Sequence, residues 1–107
     1  MCMALPGSGK LVRDRIPQII AEAGIQKRYS KIAPGDMRAA LRSKLEEEIS
    51  ELVSCNPDSE VEELADVFEV LVCLSEVLGH SWTEVIKTAE RKRETRGGFS
   101  LGVWLHD

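Results

Sequence analysis

Two groups of acidic residues stand at spacings that could bring several carboxylates together. The segment KLEEEISEL, residues 44–52, holds four glutamates, and Glu63 and Asp66 follow it on the next stretch of chain. Glu48 and Glu51, like Glu63 and Asp66, are three residues apart, which puts each pair on one face of a helix. If the two helices are antiparallel neighbours, the pairs face each other across one cavity. Four hard oxygen ligands suit Mg²⁺ or Mn²⁺, so the spacing indicates a divalent-cation site.

The helical positions of these acids support that interpretation. At about 100° per residue, Glu48 lies at the edge of an apolar stripe and Glu51 lies on the same side of the helix. Glu63 and Asp66 fall in the apolar sector of the next helix. The stripe expected to face solvent there is formed by Glu62, Glu69 and Glu76. A buried, ionised carboxylate needs a cation or must become neutral, so Glu63 and Asp66 are the stronger indication of a site.

Two plainer interpretations stay open. Acid runs on helices usually form solvated faces, which suits residues 46–48 and Glu46 above all. Glu63 and Asp66 could instead form buried salt bridges with a Lys or Arg from a flanking segment, because no basic residue lies near them in sequence.

Four helical segments are expected to position the acids. Prolines, glycines and capping residues place them at about 15–23, 37–54, 59–78 and 81–96. Asp36 is the expected N-cap of the second helix. The stripe of this helix that is expected to face the core consists of Leu41, Leu45, Ile49, Leu52 and Val53. Capping boxes are predicted for the third and fourth helices by Ser59-x-x-Glu62 and Ser81-x-x-Glu84.

The predicted fold class is all-α, a compact bundle of about four helices with a short extended C-terminal arm. The chain of 107 residues is expected to form one domain, with residues 1–9 as a flexible lead-in. Within that lead-in, GSGK is not a phosphate-binding P-loop, because Ala4 and Leu11 stand where that motif needs Gly and Ser or Thr.

Composition narrows the functional classes. Twelve of the 18 acidic residues and none of the 14 basic ones lie between residues 45 and 86, so an acidic centre is flanked by basic ends. That pattern suits a metal-bound polyphosphate better than a nucleic-acid polymer.

Cys2, Cys55 and Cys73 lack the spacing of a disulfide framework or a zinc site. With no signal-peptide pattern and no membrane-length apolar run, we expect a complete, cytoplasmic protein with no membrane partner.

The acid pattern resembles a known family signature. Glu47-Glu48-x-x-Glu51 followed by Glu63-x-x-Asp66 is similar to the E-E-x-x-E … E-x-x-D signature of MazG-like nucleoside triphosphate pyrophosphohydrolases. That all-α superfamily also includes dimeric dUTPases and phosphoribosyl-ATP pyrophosphohydrolases. The blocks GKLVRDRIP (9–17) and KRETRGGF (92–99) resemble the ends of short, single-module members, so the similarity spans nearly the whole chain.

The resemblance implies hydrolysis of a nucleoside triphosphate, or a related nucleotide, to the monophosphate and pyrophosphate. It implies Mg²⁺ ligation by Glu48, Glu51, Glu63 and Asp66, with Glu47 orienting or deprotonating the attacking water. It implies a homodimer or homotetramer. The basic ends would then contact substrate phosphates through Lys10, Arg13, Arg15, Lys44, Lys92 and Arg96.

Plainer roles compete with some of these assignments. The cations at the end of the fourth helix, which include Lys92 and Arg96, also favour its dipole without any ligand. Trp82 and Trp104 are expected to pack rather than to stack on a base. The alternative function is a non-catalytic helical interaction module with a metal-stabilised acidic cluster. A di-iron bundle is disfavoured, because the chain has no Glu-x-x-His pair.

Overall fold

The computed structural model describes residues 9–107 and is all-helical over that range. Its α-helices are α1 (Ile16–Glu22), α2 (Met37–Ser54), α3 (Glu60–Val77) and α4 (Trp82–Arg96), and no β-strand occurs among the described residues. The predicted all-α bundle of about four helices is therefore confirmed, and no helix bound differs from the predicted one by more than one residue. The lead-in expected over residues 1–9 lies almost entirely outside the described residues, as does Cys2.

The central unit is a hairpin of α2 and α3, which pack against each other more extensively than any other pair of helices. α2 ends because Asn56 precedes Pro57, and proline disfavours the helical conformation in the residue before it. Asn56 accordingly has an extended backbone with ψ 153°. A single 3₁₀ turn, Pro57–Ser59, then leads into α3. The short connection makes the helices antiparallel neighbours, as the acid spacing requires.

The predicted caps are only partly present. Ser81 and Glu84 form the complete capping box at the start of α4, with both backbone-to-side-chain hydrogen bonds at 3.1 Å. The capping box predicted at Ser59 is wrong, because Ser59 closes the 3₁₀ turn with φ −102° and ψ −1° and makes no side-chain cap bond. Asp36 does stand at the N-cap of α2, again after a 3₁₀ turn and again without a side-chain cap bond.

The interior of the single chain is small. The buried apolar side chains among the described residues are Ala40, Leu41 and Val70. Leu45 and Leu52 of the predicted stripe are half-buried. The prediction is wrong for Ile49 and Val53, whose side chains are exposed to solvent; Val53 is 81% exposed.

α4 contacts α3 and no other helix among the described residues. Trp82, at its start, packs edge-to-face against Phe68 with ring centroids 5.3 Å apart, which confirms the predicted packing role. Beside this pair, the two helices enclose an apolar cavity of about 230 Å³. Trp104 belongs to the C-terminal arm and is 81% exposed, so the packing role predicted for it is wrong in the single chain.

The arm after α4 forms no helix or strand. It contains one turn, in which the Gly102 amide donates to the Phe99 carbonyl at 3.1 Å. None of the helices in residues 9–107 combines the length and apolar character needed to cross a bilayer.

Candidate metal centre

Glu48 is the most deeply buried acid of the described chain. It lies on α2 with 5% of its surface exposed. Its Oε1 is 3.1 Å from the Nζ of Lys44, one helical turn earlier. Its Oε2 is buried and has no hydrogen-bond partner. Half of this carboxylate is therefore left without compensation, which is costly for a buried charged group.

Helix α3, the other helix of the hairpin, supplies two more carboxylates close to Glu48. Glu63 and Asp66 are half-buried, and Glu63 Oε2 is also buried without a hydrogen-bond partner. One carboxylate oxygen from each of Glu48, Glu63 and Asp66 lies within 4.8 Å of the others. Octahedral Mg²⁺ with bonds of about 2.1 Å holds its oxygens roughly 3–4 Å apart, so small side-chain movements would suffice to seat the ion. These residues fit a divalent cation.

Glu51 and Glu47 form a second group that shares Glu48. Oxygens of these three residues again lie within 4.8 Å of one another. The inward turn expected for Glu51 is wrong, because its side chain is exposed and only Glu48 of the predicted pair points inside. The negative charge of Glu48 is the main cause that raises the pKa of Glu51, and Glu63 and Glu47 add to it. Glu51 therefore senses the concentrated negative charge that a cation would relieve.

Lys44 holds the α2 acids together. Its Nζ lies 2.7 Å from Glu47 Oε2 and 3.1 Å from Glu48 Oε1. Burial opposes the charged ammonium, but hydrogen bonds and attraction from Glu47 and Glu48 outweigh it and raise the pKa of Lys44. Lys44 was predicted to contact phosphate, and Glu47 was predicted to handle water; the structure shows them bound to each other.

Asp66 has a long-range partner. Arg13 Nη2 donates to Asp66 Oδ1 at 2.7 Å, although the two residues are 53 positions apart in sequence. The alternative of a salt bridge from a flanking segment is thereby confirmed for Asp66, but the pair is exposed rather than buried as that alternative expected. For Glu63 no ion pair exists within the described residues.

The Arg13–Asp66 contact closes one side of a cavity of about 270 Å³ at the same place. Its lining combines three basic residues, two acidic residues and an apolar wall: Lys10, Arg13, Lys44, Glu48, Asp66, Val12 and Ile16. Sequence reasoning did not assign the wall residues Val12 and Ile16. Val12 precedes Arg13 directly and Ile16 begins α1 three residues after it, and this closeness to a basic residue was the available signal.

The other predicted phosphate contacts lie apart from this cavity. Arg15 is exposed at the N-cap of α1 and does not line it. Lys92 and Arg96 are exposed on the last turns of α4, which contacts only α3. Their position at a helix C-terminus agrees with the dipole role. A single chain thus brings Lys10, Arg13 and Lys44 to the acidic cluster, but not Arg15, Lys92 or Arg96.

Comparison of this chain with protein-family models, with curated proteins and with solved structures found no match.

Proposed function

We propose that this chain is a Mg²⁺-dependent nucleotide pyrophosphohydrolase of the MazG-like type, which hydrolyses a nucleoside triphosphate or related nucleotide to the monophosphate and pyrophosphate. The observation that carries the proposal is the pair of buried oxygens, Glu48 Oε2 and Glu63 Oε2, that lack any hydrogen-bond partner. They belong to a three-carboxylate group from two helices. A folded protein rarely leaves such atoms uncompensated, and a divalent cation satisfies them together.

The charges around the cavity support a polyphosphate substrate. Lys10, Arg13 and Lys44 provide cations on the wall that also holds Glu48 and Asp66. Basic groups recognise phosphate oxygens, and carboxylates hold the cation that bridges them. Pockets for small molecules measure about 300–1,000 Å³, so this cavity of about 270 Å³ suits the phosphate chain rather than the whole nucleotide.

The acidic residues divide into binding and proton-handling roles. Glu48, Glu63 and Asp66 would hold Mg²⁺, or Mn²⁺, with Glu51 as a further ligand from the exposed side. The bound ion supplies neutralisation of the phosphate charge and a lower pKa for the attacking water. Glu47 would accept a hydrogen bond and then the proton from that water, once Lys44 turns from Glu47 towards the phosphates.

A homodimer or homotetramer is part of the proposal, and the surface of the chain supports it. The chain exposes 9513 Å², whereas a folded monomer of its 11.9 kDa exposes about 6,000 Å². An obligate dimer buries roughly 1,000–2,500 Å² per subunit, which is less than this excess. On α3 an exposed apolar stripe at spacings of three and four residues, typical of a helix–helix seam, consists of Val61, Leu64, Phe68 and Leu71.

The second candidate function is a non-catalytic interaction module. The ion pairs of Arg13 with Asp66 and of Lys44 with Glu47 and Glu48 favour it, because they already neutralise part of the cluster. They leave Glu63 Oε2 and Glu48 Oε2 unsatisfied, however. The cytoplasmic location and the expectation that no nucleic-acid polymer binds stay predictions.

Pyrophosphate release from a panel of ribo-, deoxy- and modified nucleotides tests the proposal directly. With Mg²⁺ we expect release from at least one nucleotide, and with EDTA none. Glu63→Gln and Asp66→Asn should each lower the rate by about 100-fold or more, because even residues that only support metal ligands matter 10–100-fold. Glu62→Gln, on the exposed face of α3, is the matched control. Absence of release from every nucleotide, or equal rates in all variants, would contradict the proposal.

A further inference from the structure

We propose that Arg13 is an exchangeable partner of Asp66: it neutralises this carboxylate before the cation binds, and the cation then releases it to the substrate phosphates. The inference rests on the metal site of the proposed function and adds an order of events to it. Arg13 Nη2 and Asp66 Oδ1 are 2.7 Å apart, and both residues line the cavity of about 270 Å³. The released guanidinium would therefore already be where a metal-bound phosphate must lie.

The two kinds of ion pair at the cluster differ in how easily they break. The Arg13 and Asp66 side chains are 57% and 37% exposed, so water screens their attraction and replaces it at little cost. The Lys44 and Glu48 side chains are only 15% and 7% exposed. Separating that pair would leave a buried charge without a partner. The cation therefore displaces Arg13 from Asp66, while Lys44 keeps its contact with Glu48.

The chemistry of the two sites favours transfer rather than simple loss of the contact. A divalent cation on Asp66 neutralises the charge that attracts Arg13, and the cation and the guanidinium repel each other. Phosphate oxygens accept paired hydrogen bonds from a guanidinium in the same planar geometry as a carboxylate. Arg13 also stands before α1, on a segment whose one ion pair to α3 among the described residues is this contact. Small movements of that segment can then follow the phosphate.

Calorimetric titration of the full chain with Mn²⁺ alone, at low ionic strength, tests the first half of the exchange. Arg13→Gln removes the competitor and should bind Mn²⁺ about two- to fivefold more tightly than the wild type, as expected for loss of an exposed ion pair. The difference should shrink in high salt. Arg28→Gln, at an exposed arginine that does not line the cavity and has no ion pair among the described residues, should bind Mn²⁺ like the wild type.

Titration with inorganic pyrophosphate in the presence of Mn²⁺ tests the second half. Arg13→Gln should weaken pyrophosphate binding by about tenfold, since a hydrogen bond to a charged group is lost. Arg13→Lys should recover part of the lost pyrophosphate binding, and Arg28→Gln should lose none. A merely structural role of Arg13 would weaken Mn²⁺ and pyrophosphate binding together, so the opposite signs are diagnostic.

The possible failures are separable. Equal or weaker Mn²⁺ binding by both Arg13→Gln and Arg13→Lys overturns the exchange and leaves the metal site standing. Undiminished pyrophosphate binding by Arg13→Gln also overturns the exchange alone. Absence of Mn²⁺ binding by the wild type overturns the exchange together with the proposed function.

Discussion

Glu48 shows how a single residue combines a structural and a functional requirement. One of its oxygens is held by Lys44, and the other is buried without a partner. The Lys44 contact compensates part of the buried charge without a cation, and under the proposed function a cation would satisfy the remaining oxygen. Glu51 is affected by the same concentration of charge. The negative charges of Glu48 and, to a smaller extent, Glu63 raise its pKa.

Removal of Lys44 is expected to destabilise the metal-free protein. Lys44→Met leaves Glu48 as a buried charge without a partner and should lower the free energy of unfolding by about 3 kcal/mol. Urea denaturation in EDTA measures the change. Adding Glu48→Gln removes the unpaired charge, so the double variant should recover most of the loss.

Lys87→Met, at an exposed position of α4, is the control for loss of a lysine. It should change the free energy of unfolding little. Equal stabilities of the wild type and Lys44→Met would show that the Lys44 contact contributes nothing to folding.

For single residues, the sequence predicted which acidic residues lie together better than it predicted their ion-pair partners. Helical spacing identified Glu48, Glu63 and Asp66, because side-chain direction follows directly from position in a helix. It could not identify Arg13 as the partner of Asp66, because that contact depends on how the segment before α1 lies on α3. It could not separate Glu48 from Glu51 either, since both border the same stripe.

At the scale of elements, the two serine caps show why similar local patterns give different structures. Ser81 itself has an extended backbone with ψ 151° and completes its capping box, whereas Ser59 ends a 3₁₀ turn that begins at Pro57. A side-chain cap needs the extended conformation at the N-cap, and the proline-led turn takes Ser59 out of it. Helix positions were therefore predictable from the sequence, but of the two predicted capping boxes only the one at Ser81 formed.

The caps should respond unequally to the same substitution. Ser81→Ala removes the side-chain acceptor for the Glu84 amide and should lower the free energy of unfolding by about 1 kcal/mol. Ser59→Ala removes no cap bond and should change it by less than about 0.5 kcal/mol. Chemical denaturation of both variants gives the comparison. Equal losses would mean that Ser59 caps α3 in solution after all.

At the scale of the whole molecule, the chain is more open than its length predicts. Its radius of gyration is 17.5 Å, against roughly 13 Å for a compact domain of this size. Hydrophobic periodicity indicated which residues avoid water but not which surface covers them. Ile49 and Val53 were therefore assigned to the core of one chain and are exposed in it. The helices and the hairpin were predictable, whereas the sequence did not show which apolar side chains the single chain leaves exposed.

The apolar stripe of α3 provides the test of that closure. Leu64→Glu places a charge near the middle of the stripe, between Val61 and Phe68, where pairing with a second copy would bury it. An unpaired charge at such a seam should shift the wild-type oligomer towards monomer, raising its dissociation constant by tenfold or more, as expected for about 2 kcal/mol at an interface hot spot. Light scattering over a concentration series measures the shift.

The control for this test is Glu69→Lys, which also changes charge on α3 but lies on its solvent face. It should leave the oligomer intact. Leu64 does not belong to the acidic cluster. Leu64→Glu should therefore weaken assembly and leave Mn²⁺ binding unchanged. A wild type that is monomeric at every concentration would remove the oligomer from the proposal, and the apolar stripe would then require another partner.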